Sequence, residues 1–229
     1  MPRVARFVIP GYPFHITHRG NNKQEIFQTD EDRRRYLYWF EEAKQKYGMR
    51  IISYCLMSNH VHFIALAENE LSFAKTINTV HMRYAQYFNQ KNDRVGHLWQ
   101  GRYYSCILDN AHLLAAVRYV ERNPVRTVMV AKPWEWAWSS TREHLGLEKQ
   151  GIISLESIYS YVSVSSWQEY IDIDDRPEDL LEIRKQTFSL RAWAEDGFKE
   201  FIEEKYGVQF KFNPKGRPKL EKIGTSPSY

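Results

Sequence analysis

The chain has 229 residues, of which 43% are hydrophobic, 26% charged and 15% aromatic. That mixture excludes collagen-like, low-complexity and wholly disordered chains, and no apolar run approaches the ~18 residues of a membrane span. The formal net charge of +4 is unevenly spread: residues 1–167 carry a balance of +6, residues 168–210 one of −6 and residues 211–229 one of +4. A basic body, an acidic segment and a basic tail thus follow one another, which admits a nucleic-acid partner. Opposite charge would let the acidic segment dock over the basic body when DNA is absent, while the tail could follow phosphate. The opening MPRVARFVIPGYPFHITHRG, broken by prolines and polar groups, lacks a signal-peptide core. Cys55 and Cys106 each sit alone in an apolar run, as expected of buried free thiols in a reducing cytoplasm.

In chain order, Phe14 to Thr17 alternates and runs through His18 and Arg19 into Gly20-Asn21-Asn22, a strand entering a turn. A helix is expected over 29–47, capped by Thr29, with Asp30, Glu31 and Asp32 at its positive end and Gly48 as its stop. A strand over 50–57, a polar turn at Ser58-Asn59 and a strand over 60–67 follow, then a helix over 71–89. The aromatic-rich stretch 96–108 reads as a strand or hairpin. Asp109 or Asn110 caps a further helix, which should end near Asn123 because Pro124 disfavours helical geometry before it. The segment 134–138, with three tryptophans, should close this domain, and short helices are expected over 179–185 and 192–206. The order implies an α+β domain with a mainly antiparallel sheet and helices packed on it.

His60-Val61-His62 is the sharpest local pattern. Strand side chains alternate, so both imidazoles share one face and Val61 takes the other. Such a pair forms two legs of a divalent-metal site, or else lies at a partly buried edge. Tyr119 and Asn123 stand one helical turn apart. An amide oxygen is an available hard-metal ligand and a phenol an available nucleophile, although packing and helix termination also account for the two residues. A phenol with the usual pKa near 10 needs a polarised phosphate and in-line geometry to attack a phosphodiester. Two His and one Asn would leave metal positions open for phosphate and water.

Other candidates are less specific. Tyr84, Tyr87, Tyr103 and Tyr104 are rival nucleophiles. Trp99, Gln100, Arg102 and Tyr103 combine aromatic faces with a cation and an amide, as single-strand recognition requires. Arg19, Asn21 and Asn22 could contact phosphate or base edges from their turn. His15 and His18 lie on opposite faces of their strand, so at most one could approach a metal, and neither is assigned to the site.

Four motifs in order, Met57-Ser58-Asn59-His60-Val61-His62-Phe63, Leu98-Trp99-Gln100-Gly101-Arg102-Tyr103, Tyr119-Val120-Glu121-Arg122-Asn123-Pro124-Val125-Arg126 and Trp138-Ser139-Ser140, resemble those of the REP-associated tyrosine transposases. These belong to the wider HUH (His-hydrophobic-His) single-strand endonucleases. The resemblance covers about residues 1–145, and Gly216-Arg217-Pro218-Lys219 is similar to the tail of longer members. It implies a ferredoxin-like palm, cleavage of single-stranded DNA at hairpin-forming repeats (REP, repetitive extragenic palindromes) and a 5′-phosphotyrosine intermediate. It further implies Tyr119 as nucleophile, His60, His62 and Asn123 as ligands of Mg²⁺ or Mn²⁺, and a cytoplasmic, nucleoid-associated protein acting as monomer or homodimer. The expected organisation is a catalytic domain over 1–148, an acidic helical extension over 149–210 and a basic flexible tail over 211–229. A non-cleaving hairpin-binding module is the alternative; a zinc hydrolase would leave Tyr119 and Asn123 unexplained.

Overall fold

The alternating N-terminal segment forms β1 (Pro13–Arg19), and after a turn at 20–23 the chain enters α1 (Asp30–Tyr47). The computed structural model describes residues 6–149, 151–153, 166–189 and 192–210; the basic tail 211–229 lies outside them. The Thr29 side chain accepts the Asp32 amide while the Asp32 carboxylate accepts the Thr29 amide, a reciprocal cap contributing about 1 kcal/mol. Gly48 ends α1 at φ 67°, a left-handed geometry that favours glycine. Next come β2 (Met49–Leu56), a three-residue turn at 57–59, β3 (His60–Ala67) and α2 (Ser72–Lys91). β4 (Tyr104–Leu108) leads through the Asp109 cap to α3 (Asn110–Glu121).

The strands lie in the order β2-β3-β1-β4, all antiparallel, which is the ferredoxin-like arrangement. Period-two alternation divides the sheet into two cores. Phe14, Ile16, Ile51, Val61 and Phe63 pack under α1 and α2 with Tyr36, Phe40, Phe73, Ile77 and Tyr84. Ile64, Cys55 and Cys106 face the other way, against Leu113, Ala116, Val117 and Val120 of α3. β3 is buried along its whole length between β1 and β2, so His60 and His62 do not sit at an edge.

Three features differ from the sequence-based expectations. The stretch 96–103 is a loop rather than a strand, held because the Asn21 amide donates to the Leu98 carbonyl and the Gln100 amide to the Arg19 carbonyl, both at 2.8 Å. Its aromatic residues pack as side chains and add no ladder. α3 ends at Glu121, near Asn123 as expected, but Asn123 and Pro124 then open a further turn, α4 (Asn123–Arg126). Pro124 fits there because the first turn of a helix has no use for its missing N–H. The sheet also gains a fifth strand, β5 (Ala192–Trp193), parallel to β4. Two residues are too short to show a period, so this strand was hidden inside an expected helix.

Past the Trp-rich segment, where the Leu56 amide donates to the Trp138 carbonyl, lie α5 (Thr141–His144), α6 (Trp167–Asp172), α7 (Pro177–Ser189) and α8 (Asp196–Tyr206). The acidic segment does lie on basic groups of the body. Arg118, Arg122 and Arg126 repeat every fourth residue along α3 and α4, and Asp175 meets all three, at 3.8, 3.3 and 2.9 Å. Asp174 adds a 2.6 Å contact to Arg122.

Under α1 and α2, on the side away from His62, a second histidine cluster is buried. His18 Nδ1 lies 2.8 Å from His81 Nδ1, and His81 Nε2 lies 2.9 Å from the Tyr36 hydroxyl. Burial pushes His18 down to about 4, so its imidazole is neutral in the fold near pH 7. Below the ordinary value of 6.5 the unfolded chain takes up a proton that the folded chain refuses until about pH 4. Stability carried by the neutral imidazole is therefore complete above 6.5 and lost as pH falls towards 4. The urea midpoint should drop over this window, and more gently in His18→Gln than in the parent; equal slopes would contradict the assignment.

Candidate active site

The residues on the α3 side of the sheet come together because of strand register. Thr17 pairs with His62 and Arg19 with His60, so β1 and β3 present these side chains on one face. The His60 and His62 rings meet edge-on at 4.8 Å. α3 crosses this face and delivers Tyr119, whose ring lies 5.8 Å from that of His62. His60, His62 and Tyr119 are each only 5–8% exposed, so this cluster is almost closed to solvent; Asn123, one turn beyond Tyr119, is also buried.

His15 belongs to this cluster, contrary to its omission on sequence grounds. Its ring is parallel to that of His62 at 5.1 Å, meets Tyr119 at 5.7 Å, and places Nε2 2.9 Å from His62 Nδ1. His18 does point the opposite way, as strand alternation requires. Arg126 was not singled out at all. Its guanidinium lies 4.2 Å above the Tyr119 ring centroid, donates to the Tyr119 carbonyl and is gripped by Asp175. Its place seven residues beyond Tyr119, two helical turns along, was the available signal.

The donor set suits a divalent cation. His60 Nδ1 donates to Asn59 Oδ1 at 2.6 Å, which leaves the Nε2 lone pair free for a ligand. Burial, with the positive charges of Arg19 and Arg126, pushes His60 down to about 3; burial, with Arg126 and His60, does the same to His15. Burial, with His60, His15, Arg126 and Arg19 close by, also holds His62 well below its ordinary value. Neutral imidazoles are the form that binds metal. No group of three or more His, Cys, Asp or Glu among the described residues is arranged as a metal cage. Among the described residues the cluster thus offers a cation two imidazoles, those of His60 and His62, and no carboxylate cage.

The rival tyrosines are otherwise engaged. Tyr84 is fully buried on the opposite face and donates to the Ile26 carbonyl; Tyr87 donates to Asp32 at 2.9 Å. Tyr104 shares the histidine face but packs edge-on against Phe188. Two candidate DNA contacts also lie inside. Trp99 stacks on His81 at 3.8 Å, and Tyr103 is buried beneath the Arg6 guanidinium at 3.7 Å, so neither ring is open to a base. Asn22 and Gln100 are exposed, and Arg19, Asn21 and Arg102 partly so, on the tied turn and loop at the His60 end of β1 and β3.

Glu121, between Tyr119 and Asn123 in the motif, is wholly buried. It accepts from Ser53 at 3.2 Å, from His144 Nδ1 at 2.6 Å and from Ser140. One carboxylate thus ties the Tyr-Val-Glu-Arg-Asn motif to the Trp-Ser-Ser motif and sets the seating of α3 on β2. Glu121→Ala leaves several buried donors unpaired and should cost about 3 kcal/mol in urea unfolding. A loss below ~0.5 kcal/mol would show that the anchor is dispensable.

A ferredoxin-like sheet thus carries paired histidines on a central strand, with a tyrosine on the helix that crosses it. Residues 9–123 match the family described as "Transposase IS200 like", half of the chain. The protein belongs to the IS200-like transposase family. A solved REP-associated tyrosine transposase bound to a REP hairpin has the same fold at 18% identity, with a TM-score of 0.54 over 72% of this chain and 96% of that one. A transposase candidate from Deinococcus radiodurans (14% identity, TM-score 0.37, 52% and 94% coverage) is too distant to inform the comparison. No curated protein is detectably similar. No helix among the described residues is long and apolar enough to cross a membrane.

Proposed function

We propose that the protein is a metal-dependent endonuclease and strand transferase for single-stranded DNA, cutting at hairpin-forming REP-like repeats through a 5′-phosphotyrosine on Tyr119. The observation that carries this reading is the Tyr119 ring held against His62 and His15 beneath the Arg126 guanidinium. The hairpin substrate is inferred from the REP hairpin bound to the solved relative. In this reading the protein works in the cytoplasm, at the nucleoid, as a monomer or a homodimer.

Tyr119 Oη attacks the phosphorus; the Oη–P bond forms, the P–O3′ bond breaks, and the phenolic proton leaves as the 3′ oxygen gains one. The free 3′ hydroxyl can reverse the step, so rejoining needs no external energy source. Arg126 favours the developing phenolate and phosphoryl charge by cation–π and Coulomb attraction. His60 Nε2, His62 Nε2 and the Asn123 amide would hold Mg²⁺ or Mn²⁺, which supplies Lewis-acid polarisation of the phosphate. Arg19, Asn21, Asn22, Gln100 and Arg102 are the proposed contacts to DNA outside the cluster.

Incubation with end-labelled hairpin DNA and Mg²⁺ or Mn²⁺ should give an SDS-stable adduct. Tyr119→Phe should abolish the adduct while keeping hairpin affinity within about 3-fold, since it removes one oxygen and little packing. Hairpin binding without any adduct from the parent protein would favour the non-cleaving module.

His60→Ala and His62→Ala should each slow cleavage by about 100-fold or more, with hairpin binding largely kept. Full activity of both variants in excess EDTA would overturn the metal requirement. The same sequence offered as perfect duplex should resist cleavage, because the phosphate must be reached in an unpaired strand; equal rates on both forms would indicate an ordinary duplex nuclease.

A further inference from the structure

The Asn59 side chain lies between two parts of the site. Its Nδ2 donates to the Lys23 carbonyl at 3.2 Å, and its Oδ1 accepts from His60 Nδ1 at 2.6 Å. The Lys23 carbonyl only accepts, so it must meet the amide nitrogen; the opposite orientation would set two oxygens against each other. The amide oxygen is then the atom left for His60, and an oxygen that only accepts requires the proton on His60 Nδ1. Both ends of the amide thus give the same answer, and His60 Nε2 keeps its lone pair.

The far end of this amide holds a strained turn. Asn22 and Lys23 have φ 51° and 59°, the left-handed region that a lysine rarely adopts. The Lys23 and Gln24 amides close the turn from within, donating to the Gly20 and Asn21 carbonyls at 3.1 and 3.0 Å. From outside, the Asn59 carbonyl accepts the Gly20 amide at 2.8 Å, and the Asn59 side chain takes the Lys23 carbonyl. Asn21 and Asn22, two of the proposed DNA contacts, stand in this turn, with Asn22 exposed. Arg19, a third, leads into it and pairs with His60 across β1 and β3.

We propose that Asn59 is a positioning residue that ties the turn at 20–24 to the His60 imidazole, so that one amide shapes the DNA-binding turn and readies His60 Nε2 for a divalent cation. The roles in DNA and metal binding rest on the function proposed above, whereas the two hydrogen bonds do not. Losing such a hydrogen bond to a ligating histidine typically weakens metal binding by about 10–100-fold. A turn no longer held must be ordered when DNA binds, which lowers affinity.

Two variants of the full chain separate the two ends. Asn59→Asp keeps an oxygen for His60 Nδ1–H but has no N–H for Lys23, whereas Asn59→Ala removes both. Asn59 is partly exposed, so neither change opens a core cavity. Nitrogen-15 NMR of labelled histidine in the metal-free protein should show His60 as a single Nδ1–H tautomer, kept in Asn59→Asp and mixed in Asn59→Ala. Amide exchange at Lys23 and Gln24 should quicken about 3-fold or more in both variants. Titration with Mn²⁺ alone, followed by the loss of the free-ion EPR signal, should show affinity about 10–100-fold weaker in Asn59→Ala and within about 3-fold of the parent in Asn59→Asp. In EDTA, Asn59→Ala should bind a REP hairpin about 3–10-fold more weakly than the parent. An Nε2–H tautomer of His60 in the parent, or one unmoved by Asn59→Ala, would overturn the tie to His60. Exchange unmoved in both variants would overturn the tie to the turn. Mn²⁺ or hairpin affinity unchanged in Asn59→Ala would overturn the corresponding role and leave the proposed function intact. A parent that binds neither Mn²⁺ nor the hairpin would sink that function and both roles with it, while the NMR results decide the two ties separately.

Discussion

Both faces of β3 are covered, and the rest of the site depends on that constraint. A strand buried on two sides must satisfy two environments with one alternating sequence. Val61, Phe63 and Ala65 face the helices α1 and α2 in an ordinary apolar core. His60 and His62 face α3, where two imidazoles need partners, because burying polar groups without them costs several kcal/mol. Asn59 and His15 supply those partners, and the Asn59 oxygen, which only accepts, fixes His60 as its Nδ1–H form.

Helix α3, which carries Tyr119, is held from two sides. Glu121 pins α3 to β2 and to the Trp-Ser-Ser segment, inside the protein. Arg118, Arg122 and Arg126 line its outer side and are gathered by Asp174 and Asp175. Ion pairs on a surface contribute little, but Asp175 and these arginines are largely shielded from water, where mutual attraction is stronger and an unpaired charge is costly. The acidic segment therefore does more than balance charge. It holds Arg126 over the Tyr119 ring and, through α7, brings Thr187 to His15. These same arginines would attract DNA phosphate, so Asp174 and Asp175 occupy positions a phosphate could take.

Much of this was legible in the sequence because the signals are local. Thr29 with Asp32, Gly48, and Asp109 mark helix boundaries by hydrogen bonds made within a few residues. The alternation of β3 states that His60 and His62 share a face, and the α+β order of elements follows from periods and turns. The motif spacing brought Tyr119 and Asn123 into consideration together, and their resemblance to a family gave them roles. Trp99 and Tyr103 read equally well as stacking platforms or as core, since composition does not say which side of a ring is covered; the structure covers both.

What the sequence by itself determined is each element's own period, its caps and the face on which each side chain lies. Only the tertiary structure decided which faces meet. His15 became part of the site because β1 pairs with β3 in a register that sets it beside His62, and register between strands 47 residues apart leaves no trace in either strand alone. Thr187 is 172 residues from its histidine partner, and β5 is too short to announce itself. Such contacts are selected by the burial and hydrogen bonding of the whole fold, an energy that no single segment contains.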